Sequence, residues 1–335
     1  GMSDAMRIVA RDHPFARESA ITLQKAGVFL KDLNREVRKT VYDKVQTRRA
    51  QDETALNDLF NQLVKLRQQV ALNTGFKNYR DFKHQQLARF DYSVQDCLNF
   101  HESVKQHAVP LVDEHDKRRK AKLNLQDYRP WDTSVDEEGL PPLKPFHNAQ
   151  ELIDKTIACF NRLDPFFGDC VATMHKMNRL DLESRIGKAP GGYQYPLYET
   201  NVPFIFMNSV GLHRDLVTMV HEGGHAIHSF LDFDLELVEF KSPPSEIAEL
   251  ASMSMELMSM EHWEVFFENK EELRRAKRQQ LESVIDALPW IAAIDKFQHW
   301  MYTNPNHTNE EREHKWEELH KELSSDEIDW SPYGD

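Results

Sequence analysis

The stretch HEGGHAIHSF, residues 221–230, decides how the rest of the chain is read. Gly223 and Gly224 stand side by side where the flanking pattern asks for helix, and each costs about 1 kcal/mol there relative to alanine. On a helical wheel at about 100° per residue, His225 lies about 40° and His228 about 20° from His221, with Glu222 on the shoulder of the same face. Leu216, Val220, Gly223, Ile227 and Leu231 fall on the far side. One face is therefore apolar and the other carries imidazoles. His221-Glu222-x-x-His225 puts two imidazoles one turn apart, able to share one Zn²⁺ at about 2.0–2.1 Å. The adjacent carboxylate can reach water beside the metal without being a ligand. The glycines then read as space. Gly223 lets another element approach the apolar back, and Gly224 leaves room beside the metal.

A catalytic zinc wants a third protein ligand and an open position. Downstream, SPPSEIAELASMSMELM (242–258) reads as a second helix, capped by Ser242 or Ser245 with Pro243 or Pro244 in its first turn. It offers Glu246, Glu249 and Glu256. Glu249 and Glu256 share a face and Glu246 lies close by, so helical geometry alone leaves all three open. A superficially similar run, HKWEELH (314–320), sets its histidines six apart on different sides and reads as solvated helix.

Composition narrows the function classes. The chain has 335 residues, 40% hydrophobic and 29% charged, with 12 glycines, which suits a helix-rich globular protein with a large core. A net charge of −13 argues against nucleic acid as a partner, and the basic run KRRKAK (117–122) reads as a solvated helix face. Cys97, Cys159 and Cys170 form no C-x-x-C pair, so a reducing, cytoplasmic setting is expected. No apolar run is long enough to span a membrane, and the N-terminal stretch lacks the apolar core of a secretory leader.

Most of the chain has helical periodicity. In 55–76, Leu56, Leu59, Phe60, Leu63, Leu66 and Val70 recur on one face, and Gly75 offers a stop. Further helices are expected at 93–108 from Ser93, at 148–163 from Asn148 with Glu151 three residues on, and at about 245–268, 271–301 and 309–323. The proline-rich segment 129–147 reads as a linker between a helical lobe, 1–130, and a zinc-binding catalytic lobe, 146–335. The exception to helix is 186–208, where aromatic and β-branched residues suggest short strands at 192–195 and 203–207. Pro196 and Pro203 suit an edge strand or strand ends. Gly191 and Gly192 fit a backbone approached closely by a ligand, and an edge strand there could pair with an extended peptide.

The pattern H-E-x-G-H-A-x-H, followed by Glu249 in AELASMSME, resembles the thimet oligopeptidase and oligoendopeptidase F family of zinc metallopeptidases. LRQQVALNTGFKNYRDF (66–82), RPWD (129–132), GKAPGGYQYPLYETNVPFIFMN (187–208) and FQHWMYTNPNHT (297–308) resemble the oligoendopeptidase F branch, and the likeness runs over about 35–330. It implies a mainly α, zincin-like fold with a deep channel and a small β-sheet beside the active-site helix. It implies one Zn²⁺ per chain, short peptides as substrates, His221, His225 and Glu249 as ligands, and Glu222 as general base. Glu256 would stand behind the ligands, and His228 would be a non-ligand neighbour. Gly191, Gly192 and Tyr193 would face substrate. Family members are longer, with more helical lobe ahead of the region seen here and a substrate-facing segment beyond the metal site. The rival expectation is thus a zinc-binding fragment or scaffold without full turnover.

Overall fold

A computed structural model describes residues 20–331 together with the short strand at Met6–Arg7. The rest of the N-terminal stretch read for a leader lies outside these residues. Helix occupies 66% of the chain, about twice the share of an ordinary globular protein, so the mainly α expectation holds.

The chain divides into two compact units, each built from separated stretches of sequence. The first comprises residues up to Val41 together with Pro141–Gln280, and the second comprises Tyr42–Leu140 with Leu281–Asp335. One change of unit falls between Leu140 and Pro141. However, the residues after Gln280 group with the earlier helices rather than with the histidine segment.

In chain order, the first unit holds β1 (Met6–Arg7), β2 (Ala20–Ile21) and α1 (Leu23–Gly27). The next helix, α2 (Arg35–Ala50), contributes to both units. The second unit adds α3 (Glu53–Asn73), α4 (Tyr79–Gln86), α5 (Val94–His107) and α6 (Val109–Lys122). The first resumes with α7 (Ala149–Leu163), α8 (Pro165–Lys176), β3 (Leu180–Glu183), β4 (Tyr193–Tyr195) and β5 (Phe204–Ser209). The helix α9 (His213–Asp232) follows, then α10 (Ser245–Ser259). Finally α11 (Lys270–Thr303) passes from the first unit to the second, which closes with α12 (Asn309–Leu323).

Local chemistry sets the helix ends. Ser93 and Asp96 cap α5 reciprocally, as Thr308 and Glu311 cap α12. Asn148 caps α7, but the Glu151 carboxylate turns to the His147 N–H at 2.8 Å instead of completing a box with Asn148. Neither Ser242 nor Ser245 caps α10. Pro244 stands at its N-cap and Ser245 is its first helical residue. Within the expected linker, Pro130–Asp132 form a buried 3₁₀ turn, so that segment is packed rather than loose.

The three-stranded sheet has the order β3-β5-β4, with β3 parallel and β4 antiparallel to β5. The strands read at 192–195 and 203–207 are β4 and β5. The third strand, β3, had no counterpart in the sequence reading. Because β4 is the edge strand, one side of its backbone is not paired within the sheet.

The core of the first unit gathers around α9. Leu216, Met219 and Val220 are fully buried and Ile227 nearly so, among Phe160 and Cys159 of α7, Met174 of α8 and Ile205 and Met207 of β5. Leu231, which the wheel put on the same face, is exposed near the helix end.

Candidate metal centre

The chain enters α9 through Gly211, whose φ of +89° suits a residue without Cβ. The buried Asp215 carboxylate then accepts the Val210 and Leu212 N–H groups at 2.8 and 2.9 Å, fixing the start of the helix. Two turns further on, both glycines are explained by contact. A Cβ on Gly223 would lie 2.8 Å from the Phe160 ring, so the apolar back of α9 is closely approached, as expected. A Cβ on Gly224 would lie 2.8 Å from Ser252 Cα, 2.9 Å from Met255 Cβ and 3.1 Å from the Ala251 carbonyl oxygen. Gly224 therefore lets the backbone of α10 come against α9. The expectation that it leaves room beside a metal is corrected: the space is filled by helix.

That approach brings three ligand types together. His221, His225 and Glu249 each offer one atom within 4.8 Å of the others. His221 Nε2 is 3.3 Å from Glu249 Oε2, and His225 Nε2 is 3.7 Å from Glu249 Oε1. A tetrahedral ion with bonds of about 2.0–2.1 Å has ligand atoms about 3.3–3.4 Å apart, so His221 and Glu249 already stand at that spacing and His225 close to it. The other ring nitrogen of each histidine is held. His221 Nδ1 lies 2.6 Å from Glu256 Oε1, and the His225 ring bonds the Ala248 backbone carbonyl. This leaves both Nε2 atoms directed at the gap, with the tautomer set from behind.

The electrostatics follow from burial and these partners. For His221, burial is the largest single effect and disfavours the charged ring, but the Glu256 hydrogen bond together with the Glu256, Glu222 and Glu249 charges outweighs it and the pKa is raised. For His225, burial and the neighbouring His221 charge lower it. Glu222 is buried, and burial, opposed by the His221 charge and reinforced by that of Glu249, raises its pKa above the ordinary carboxylate value. It accepts the backbone N–H of Gln194 in β4.

The other residues singled out in the sequence divide. Gly192 belongs to this region: its Cβ would sit 3.6 Å from Glu222 Oε1 and 3.4 Å from the Phe206 carbonyl oxygen. Gly191, at φ +98°, turns the chain and accepts the Asn208 side-chain N–H at 2.9 Å. Tyr193 is half exposed and stacks on Phe206 at 5.0 Å. His228 stands apart from the ligand trio, 3.6 Å from Asp232. Glu246 lies in the first turn of α10 and is absent from the trio.

Three contributors went unread in the sequence. Ser252 is fully buried and donates to Glu249 Oε2 at 3.0 Å; its place three residues after Glu249 on one helix was a usable signal. Gln194 meets Glu222 through its backbone, which no side-chain motif records. Gln280, 2% exposed, donates to Glu256 Oε2 at 2.6 Å from the next long helix, α11, and nothing in the local pattern marks it.

The family model for peptidase family M3 matches residues 28–332. Oligoendopeptidase F, chromosomal, of Lactococcus lactis subsp. cremoris is 25% identical over 232 residues, covering 69% of this chain and 37% of that protein. Oligopeptidase PepF of Bacillus subtilis (strain 168) is 25% identical over 237 residues, covering 70% of this chain and 34% of that protein. Among solved structures, one described as an oligoendopeptidase F from Bacillus anthracis str. Ames superposes with TM-score 0.88 at 26% identity, covering 96% of this chain and 57% of that one. PZ peptidase A with an inhibitor gives TM-score 0.90 at 27% identity, covering 99% and 58%. The chain thus spans little more than a third of these curated relatives and somewhat over half of the solved chains. From the match over nearly all of its length, the chain belongs to peptidase family M3, beside the oligoendopeptidases F.

Proposed function

We propose that this chain carries the catalytic centre of a zinc-dependent endopeptidase acting on short peptides. The observation that carries the reading is the convergence of His221, His225 and Glu249 within 4.8 Å, with the buried Glu222 on the same helix. His221, His225 and Glu249 would hold one zinc, and Ser252, Glu256 and the Ala248 carbonyl would keep those three side chains in register. Bound zinc supplies Lewis acidity toward water and the scissile carbonyl. Glu222 takes the proton of the attacking water and delivers it to the leaving amine, a task its raised pKa suits. The free edge of β4, running from Gly192 past Tyr193, would pair with an extended peptide backbone and lay it beside Glu222. The family relationship supports peptide substrates. No helix among the described residues is long and apolar enough to cross a membrane.

The test joins metal analysis to a quenched-peptide assay, on this chain and on a longer natural chain. One zinc per chain is expected, lost in His221→Ala and His225→Ala. Glu222→Gln should keep the metal and lose about 10²–10⁴-fold in turnover. Zinc retained by the histidine double variant, or full turnover in Glu222→Gln, would overturn the reading. A longer chain that binds zinc at these residues but cleaves no peptide would favour the scaffold alternative.

A further inference from the structure

The second unit contains a cleft unlike the metal centre in charge. Its cavity of about 210 Å³ lies between α3, α4, the turn after α4 and the C-terminal half of α11. Four cationic side chains line it: Arg67, Arg80, Lys83 and Arg89, all half-buried. In a chain of net charge −13 this concentration runs against the average. Among the described residues Asp295 is the only acidic one in the lining, and it is already engaged. Its Oδ2 lies 2.7 Å from His101 Nε2 and 3.4 Å from His299 Nε2.

Arg67 and Lys83 form no ion pair among the described residues. The Arg67 guanidinium lies over the Tyr79 and Tyr302 rings and donates to the Tyr302 hydroxyl at 2.5 Å. Those contacts hold the guanidinium in place while leaving its charge unpaired. Arg80 is tied to its neighbour Asp81 at 2.8 Å, and Lys83 donates to the neutral Gln86 side chain at 2.9 Å. Another imidazole atom of the lining, His299 Nδ1, is buried with no hydrogen-bond partner. Placing unpaired polar and cationic groups around a half-enclosed space is unfavourable unless a ligand satisfies them.

Cys97, Asp295 and His299 also lie close enough to share a metal ion. The surrounding guanidinium and ammonium groups oppose a cation there, and burial raises the Cys97 thiol so that it stays protonated. The cavity is smaller than the roughly 300–1,000 Å³ of pockets for drug-sized ligands, so an ion or the charged end of a small molecule suits it.

We propose that this cleft is a binding site for a small multivalent oxyanion of the phosphate class, held chiefly by Arg67 and Lys83. The Arg67 guanidinium supplies paired N–H donors to oxyanion oxygens, Lys83 supplies a mobile charge, and His299 Nδ1 supplies a further donor when protonated at that atom.

The experiment is calorimetric titration of the full chain at constant ionic strength with inorganic phosphate, pyrophosphate, glycerol phosphate and chloride. Fixed ionic strength separates a site from general screening. Saturable binding near one oxyanion per chain is expected at millimolar concentration or below, with no matching heat from chloride. Arg67→Gln should weaken it about tenfold or more, and Lys83→Gln severalfold. Arg274→Gln, on an exposed pair with Glu271, should leave it unchanged. Because Arg67 also packs between two rings, Lys83→Gln is the variant that decides if Arg67→Gln unfolds. Glycerol phosphate binding more tightly than phosphate assigns the site to a phosphomonoester, and the reverse assigns it to the free ion; either upholds the proposal. Absence of saturable binding, an equal response to chloride, or affinity unchanged in both cleft variants overturns it. An oxyanion taken up at the zinc centre instead would be insensitive to both.

Discussion

Helices α3 and α9 are nearly the same length, 21 and 20 residues, and both repeat apolar residues at helical spacing. Their apolar faces end in opposite environments. On α9, Leu216 and Val220 are fully buried, whereas on α3, Leu56, Leu59 and Leu66 are 60%, 53% and 63% exposed. Only Val64 and Ala71 of α3 are buried. Periodicity identifies a face; what covers it depends on residues elsewhere in the chain. For α9 that cover is Phe160 on one side and α10 on the other, admitted by Gly223 and Gly224. The sequence of α3 contains no such device, and its apolar stripe remains open to solvent.

The comparison can be broken first where the burial is deepest. Leu216→Ala on α9 should cost about 2–5 kcal/mol, read as a lowered urea midpoint at unchanged slope. A midpoint near that of the parent chain would mean α9 is no better covered than α3. Next comes the support behind the metal ligands. Glu256→Ala should weaken zinc about 10–100-fold, and Gln280→Met less, because Gln280 reaches His221 through Glu256. If competition with a chelator showed Gln280→Met to be the worse of the two, the order Gln280–Glu256–His221 would be wrong.

Gly224→Ala is sharper in sign than in size. An uncrowded helical glycine gains about 1 kcal/mol on becoming alanine, while overpacking costs about 1–3 kcal/mol. With Ser252 Cα at 2.8 Å, the melting temperature should fall. A rise would show that α10 does not press on α9.

In the second unit, charge performs part of the fastening. His115 of α6 bonds Asp286 at 3.4 Å and faces Glu282 at 3.5 Å, both on α11, and those bonds raise its pKa from 6.5 to about 9. A raised histidine pKa stabilises the fold fully below its unfolded value and loses that contribution as pH rises through about 9. Stability should therefore decline between pH 6.5 and 9.5 more steeply in the parent than in His115→Gln, as followed by denaturant midpoints. Parallel curves would remove His115 from the account. The smallest effect belongs to α3 itself. Leu59→Ala should change stability by no more than about 0.5 kcal/mol, and a loss comparable to Leu216→Ala would erase the contrast.

Legibility in the sequence followed the reach of each interaction. The helices at 55–76, 93–108 and 148–163 were readable because period and caps are local, and α5, α7 and α12 start at their capping residues. The trio of His221, His225 and Glu249 was reachable only with the family pattern, since spacing on α10 left three glutamates in contention. β3 escaped because Leu180–Glu183 has four residues and a single buried position, too short for a period. Gln280 escaped for the opposite reason. It meets Glu256 across 24 positions and a change of helix, and no local rule connects them. Gly224 was read on the right helix face but given the wrong neighbour, because a wheel shows direction and not what lies there.

The close seating of α10 on Gly224 also bears on which ion the proposed site would prefer. Glu249 rides on α10 and both histidines ride on α9, so the spacing of the two helices sets the bite that the three candidate ligand atoms would offer. At 3.3 Å between His221 Nε2 and Glu249 Oε2, that bite matches bonds of about 2.0–2.1 Å. A side chain at position 224 that moved α10 outward by half an ångström would lengthen the span toward bonds of about 2.3–2.6 Å, the range of calcium. A residue that touches no ligand would thus act as a size gauge, and replacing it would change the ranking of ions before it abolished binding.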